Sequence, residues 1–115
     1  MSPGEIHWVQ LPPANGHEQA GRRPAIIVQD ANYDQLLPTV LIVPLTGAVS
    51  ASRFTGTVSI EPTSETGLRQ RSVALVFQLR AIDRKRVQER IGSVSAKVLQ
   101  TILSTLDRLT GRQPQ

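Results

Sequence analysis

The chain has 115 residues, a formal net charge of +4, 39% hydrophobic and 19% charged side chains, the makeup of one domain spanning residues 1–115 with a core of its own. It holds no cysteine, which excludes disulfides, thiolate chemistry and a cysteine-held zinc. No apolar run approaches the ~18 to 20 residues of a membrane span, and the N-terminus lacks a secretory pattern, so a soluble cytoplasmic domain is expected.

Gly4 precedes EIHWVQL, residues 5 to 11, which reads as a first strand with Ile6 and Trp8 on one face and Val9 and Leu11 on the other. PPANGHEQAGR, residues 12 to 22, carries two Pro and two Gly and reads as a loop. PAIIVQ, residues 24 to 29, is the second predicted strand, and a polar connection over residues 32 to 38 leads to TVLIVPLT, residues 39 to 46. That β-branched apolar run between turn signals predicts a central strand, with Pro44 marking a bulge or an exit from the ladder. TVSIEP, residues 57 to 62, alternates with Val58 and Ile60 inward, and SVALVFQL, residues 72 to 79, predicts one more buried strand.

Residues 83 to 87 offer a single helical turn before a short last strand near Arg90. Only the C-terminal stretch has a helical period: Val98, Leu99, Ile102, Leu103, Leu106 and Leu109 fall three and four apart and form one stripe for core or dimer packing. Ser95 is the expected N-cap, Gly111 the stop, and Pro114 lies beyond it. The pattern predicts a mainly β fold of about five to six short antiparallel strands in a small barrel, closed by one C-terminal helix.

Eleven of the thirteen basic residues are arginine. A guanidinium is a planar fork of donors that keeps its charge at cellular pH, so the bias fits a nucleic acid or another polyanion. Two of these arginines, Arg22 and Arg23, stand beside His17 and Glu18 in GHEQAGRRP, at the mouth of a predicted strand. A plain connector needs the glycines of this segment but not its fixed charges.

In order and spacing, GEIHWVQLPP, GHEQAGRRPAIIV, VLIVPLTG and SVALVFQLRAIDRKRVQERIG resemble the MazF/PemK family of toxin endoribonucleases, over nearly the whole chain from Gly4. The resemblance implies an SH3-like barrel, a homodimer, and an mRNA interferase that cuts single-stranded RNA without a metal or other cofactor and so inhibits translation. It also implies a cognate antitoxin, expected to be acidic. The Arg directly before Pro, here Arg23, and the Thr closing VPLT, here Thr46, are the implied active-site positions. Gln19, Arg22, Arg53 and Gln78 are the candidate RNA contacts, and Arg80 either lines the RNA groove or, with Asp83, fixes the barrel through an ion pair or turn.

Metal-free RNA cleavage uses the ribose 2′-OH as nucleophile and needs a proton acceptor, a donor to the leaving 5′-oxygen and positive charge at the phosphorane. Arg23 suits the charge role and is a poor base; the unaided Thr46 hydroxyl is no better as a base. One branch of the family carries an acidic residue where this chain has Phe77, which leaves His17 and Glu18 as the alternative bases, and Gly47 follows Thr46 where serine is common. His7 reads as a structural residue of the first strand, and Arg84, Lys85, Arg86 and Arg90 as a solvated face. Two further readings stand beside the nuclease: a non-catalytic toxin on this barrel, such as the gyrase-poisoning one, and a degenerate member that binds RNA or antitoxin without cutting.

Overall fold

The computed structural model describes residues 1–112, so the expectation for Pro114 lies outside the described residues. Seven strands and one helix carry the fold: β1 Glu5–Leu11, β2 Gly21–Ile27, β3 Thr39–Thr46, β4 Thr57–Ile60, β5 Ser72–Leu75, β6 Arg80–Asp83, β7 Val87–Ser93 and α1 Ala96–Leu109. The sheet runs β4-β5-β3-β2-β1-β7, with β6 also paired to β3, and every pairing is antiparallel. The hydrogen-bonded path is not closed; the fold is barrel-like.

The count of seven, against five to six, has a specific cause. The apolar run 72–79 is not one strand: only Ser72–Leu75 forms β5, a 3₁₀ turn over Val76–Gln78 ends it, and β6 starts just past the run at Arg80. β5 pairs with the end of β3 at Leu45 and Thr46, whereas β6 pairs with its beginning from Thr39 to Ile42. One long strand has thus acquired two short partners on the same edge. Pro44 falls in the gap between them and still lies level with Ala25 of β2, so it makes neither a bulge nor an exit. A residue without an N–H is tolerated where the ladder on that edge is interrupted.

β2 begins earlier than the Pro24 start expected, at Gly21, whose φ of +79° turns the loop into the strand. Arg22 and Arg23 are consequently strand residues, opposite Gln10 and Val9 of β1. Their position is fixed by a ladder rather than by a loop.

The two-residue period sends alternate side chains to opposite faces, and both faces of the central strands are buried. Ile6, Ile26, Val43 and Leu45 join Ile60, Ala74 and Val76 in one cluster, while Val9, Leu11, Ala25, Ile27, Val40, Ile42 and Ile82 form another. This explains why β3 is apolar almost throughout. The helix lays Ile102 on the first cluster with Val98, Leu99 and Leu106 beside it, leaving Leu103 and Leu109 partly open at the flank. Ser95 accepts from the Val98 N–H at 3.1 Å as the N-cap, and Gly111 follows the helix with a φ of +79°.

The Arg84–Arg86 turn is capped by Asp83, which accepts from the Lys85 N–H at 2.8 Å. His7 is buried between β1 and β7, its Nδ1 2.9 Å from the Gln88 carbonyl and its Nε2 2.8 Å from Glu5 Oε1. Burial pushes the Glu5 carboxyl up, but hydrogen bonds from His7 and the Ser2 N–H, with the charges of Arg90 and His7, hold it below the ordinary 4.5. At the N-terminus, the hydrogen bond to Asp34 raises the Met1 amino group above 8.0 despite some desolvation.

The connection from β4 to β5, residues 61–71, leans on the end of β7. Gly92 has the Glu65 and Thr66 carbonyls where a Cβ would stand, and Gly67, at a φ of +68°, faces the Ile91 carbonyl in the same way. Two backbones meet there at a distance that only glycine permits. The Ser93 N–H donates to the Glu65 carbonyl at 2.9 Å and ties the contact. This packing builds one wall of the groove described next.

Candidate functional site

Between β1, β2, the end of β3, the 61–71 connection and β7 lies a groove of about 750 Å³. Arg23 and Thr46 both line it. Carrying the β2–β3 register past Ala25 and Pro44 brings these two residues level with one another on adjacent strands. Arg22, Arg69 and Arg90 line the same groove, so four guanidinium groups edge it, with Trp8 and Gln70 beside them.

The Arg23 Nε donates to the Ala20 carbonyl at 3.2 Å. That bond ties the side chain to the loop before β2 and leaves the terminal fork of the guanidinium for a bidentate anion. Thr46 is buried, 7% exposed, and its Oγ1 accepts from the Ala48 N–H at 3.2 Å. A hydroxyl has one proton and two acceptor lone pairs; the Ala48 N–H takes one lone pair and leaves the Thr46 proton available for donation. Both residues are suited to holding phosphate oxygens, and neither to taking up a proton.

A second, smaller cavity of about 440 Å³ adjoins the first through Thr46, which lines both. Its other lining includes His17, Gln19, Phe54, Phe77 and Gln78. Of the two alternative bases, His17 therefore stands at a cavity that contains Thr46. Glu18 is exposed and lines neither cavity.

Gln78 and Arg80 hold the loop in place. Gln78 Oε1 accepts from the Gln19 N–H at 2.9 Å and its Nε2 donates to the His17 carbonyl at 3.0 Å, so both ends of the amide are spent on residues 17–19. Arg80 donates to the Gln19 carbonyl at 3.4 Å. Gln19 Oε1 is buried and has no hydrogen-bond partner among the described residues, a state that a donor entering the site would relieve. Arg53 is exposed on the Val49–Arg53 turn, its guanidinium 5.2 Å from the Phe54 ring centroid, and lines neither cavity.

Trp8, Arg69 and Gln70 join the groove without having been expected there, and Arg90, expected on a solvated face, lines it as well. The signal that could have found them is the glycine pair, Gly67 and Gly92, that docks the 61–71 connection on β7. Gly47 also has a use: a Cβ there would strike the Gln70 side-chain amide, so the small residue after Thr46 makes room for it. Among the described residues no group of three or more His, Asp or Glu side chains is placed to hold a metal ion, and no helix is long and apolar enough to cross a membrane.

Residues 2–110 match the profile of the PemK-like, MazF-like toxin of type II toxin–antitoxin system. The chain is 31% identical, over 107 residues, to the Endoribonuclease MazF of Staphylococcus saprophyticus subsp. saprophyticus, covering 93% of this chain and 88% of the relative. Among solved structures, MazF from Deinococcus radiodurans (Form-I) is similar with a TM-score of 0.81 and 28% identity over 96% of each chain. A MazE-MazF structure from the same organism (Form-II) gives 0.76 at 28% identity, covering 98% of this chain and 97% of that one.

Proposed function

The chain belongs to the PemK-like, MazF-like family of type II toxins, and from that premise we propose that it cuts single-stranded RNA in the groove where Arg23 and Thr46 meet. It is the toxin endoribonuclease of a toxin–antitoxin pair. The observation that carries the site assignment is that these two residues, 23 positions apart in the chain, line one arginine-edged groove on neighbouring strands.

In the reaction a 2′-oxygen attacks the adjacent phosphorus, a 2′-O–P bond forms, and the P–O5′ bond breaks. The 2′-proton passes to a base, the leaving 5′-oxygen gains a proton, and the products are a 2′,3′-cyclic phosphate and a 5′-hydroxyl. Arg23 holds the nonbridging oxygens as charge builds on them, and Thr46 donates to one of them from its buried hydroxyl. Purified protein incubated with a long RNA is expected to produce these ends at an undiminished rate in EDTA. Cleavage that stops in EDTA and returns with magnesium overturns this scheme.

His17 is the proton acceptor in this reading, because it lines the cavity that Thr46 shares and stands near Phe77, where part of the family carries an acid. His17→Gln is expected to slow cleavage by roughly 100-fold, the scale of a positioned base, with Glu18→Gln close to wild type. The opposite pattern in single-turnover rates transfers the role to Glu18.

The protein acts as a homodimer, and an acidic antitoxin segment competes with RNA for the arginines of the groove. The solved MazE-MazF structure from Deinococcus radiodurans joins that MazF to MazE, which supports an antitoxin partner for this chain.

A further inference from the structure

Arg22 and Arg23 are neighbours with different surroundings. In the β1–β2 ladder Arg23 is level with Val9 and Arg22 with Gln10. Arg23 keeps its fork for an anion. Arg22 does not: its Nη2 donates to Glu89 Oε1 at 2.6 Å and its Nε to Gln88 Oε1 at 2.9 Å. Its guanidinium carbon lies 4.2 Å from the centroid of the Trp8 ring. The charge is matched by a carboxylate, and the donors on one edge are already used.

A bidentate phosphate contact is best served by a free guanidinium edge and uncompensated charge; Arg22 has its Nε–Nη2 edge engaged and its charge matched by Glu89. What it does have is a flat, oriented surface. Trp8 supports the guanidinium through a cation–π contact, two β7 side chains pin it, and the Arg22 side chain is still 46% exposed. Both Trp8 and Arg22 line the groove that contains Arg23 and Thr46. An exposed ion pair alone orients little; here three contacts fix one guanidinium, so little freedom is left to lose when a ligand settles on it.

We propose that Arg22 on Trp8 is a stacking platform for a nucleobase of the bound strand, next to the phosphate held by Arg23. This rests on the RNA-cleavage reading of the groove and replaces a phosphate contact for Arg22. Guanidinium planes and aromatic rings are the usual surfaces for unstacked bases. Such stacking accepts any base, because every base has a π-face. The platform therefore holds the strand in register for the cut and leaves the choice of cleavage motif to other residues.

Trp8 is the chain's single tryptophan, so its emission reports on this spot alone. The test titrates the full-length protein with a single-stranded oligodeoxynucleotide, which has no 2′-hydroxyl to react, and with a chain of the same length built from tetrahydrofuran abasic units. The platform predicts that the natural oligomer quenches Trp8 and binds at least about ten-fold more tightly than the abasic chain. Arg22→Lys, which keeps the charge and loses the plane, is expected to bring the two to equal affinity. Equal binding of both oligomers by the wild type, or a base preference that survives in Arg22→Lys, overturns the proposal. A protein that shows the stacking yet leaves RNA uncut strikes at the nuclease reading and not at the platform.

Discussion

Arg23→Ala and Thr46→Ala are each expected to slow RNA cleavage by about 100- to 1,000-fold, the loss that follows removal of one preorganised donor from a developing oxyanion. Arg23 is held by the β1–β2 ladder and by its Nε bond to Ala20, and Thr46 by the end of β3 and its bond from the Ala48 N–H. Neither side chain has to search for its place when RNA arrives. Both changes should leave the protein folded. Arg23 is half-exposed, and loss of the single Thr46 hydrogen bond costs about 1 kcal/mol. Cleavage rates measured alongside thermal melts check this: a large fall in rate with a melting temperature within a few degrees of wild type is the expected pair.

The largest expected effect on stability belongs to Gly92→Ala. A Cβ at residue 92 meets the carbonyl oxygens of Glu65 and Thr66, and backbone cannot swing aside as a flexible side chain can. Overpacking of this kind costs about 1 to 3 kcal/mol and at times more, and the upper end is expected because two carbonyls block the same atom. A loss of ~3 kcal/mol lowers the melting temperature of a domain this size by about ten degrees or more. The consequence reaches function, since the displaced connection carries Arg69 and Gln70 into the groove. A melt of Gly92→Ala that overlays the wild type rejects the close packing of residues 61–71 on β7.

Those three substitutions also mark how far the sequence could be read. β1, β3 and α1 announce themselves by alternation, by a β-branched run and by a three-and-four stripe, because each is governed by its own residues. That Arg23 and Thr46 belong together at one groove is legible too, through the resemblance carried by the segments around them. The start of β2 was not, because two arginines do not look like strand; pairing with β1 and the positive φ of Gly21 decide it. Nor was the division of residues 72–79. All but Ser72 and Gln78 of those residues are apolar, and the break arises from β3 offering one edge to two partners. Gln78 is expected at the RNA and Arg80 at the RNA or in the barrel frame, yet their polar atoms hold the loop at residues 17–19, a use visible only once residues about 60 positions apart are adjacent. Arg69 and Arg90 enter the groove through tertiary packing, of which the sequence carries only the trace left by Gly67 and Gly92.

The central claim is that Arg23 and Thr46 form one catalytic unit in a metal-free RNA-cleaving groove. Single-turnover cleavage of one RNA in EDTA by the wild type, Arg23→Ala, Thr46→Ala and the double variant tests it most directly. Residues that act as a unit are strongly non-additive, so the double variant is predicted to be no more than a few-fold slower than the worse single one. Near-wild-type cleavage by either single variant, or losses that multiply in full in the double, contradicts the claim.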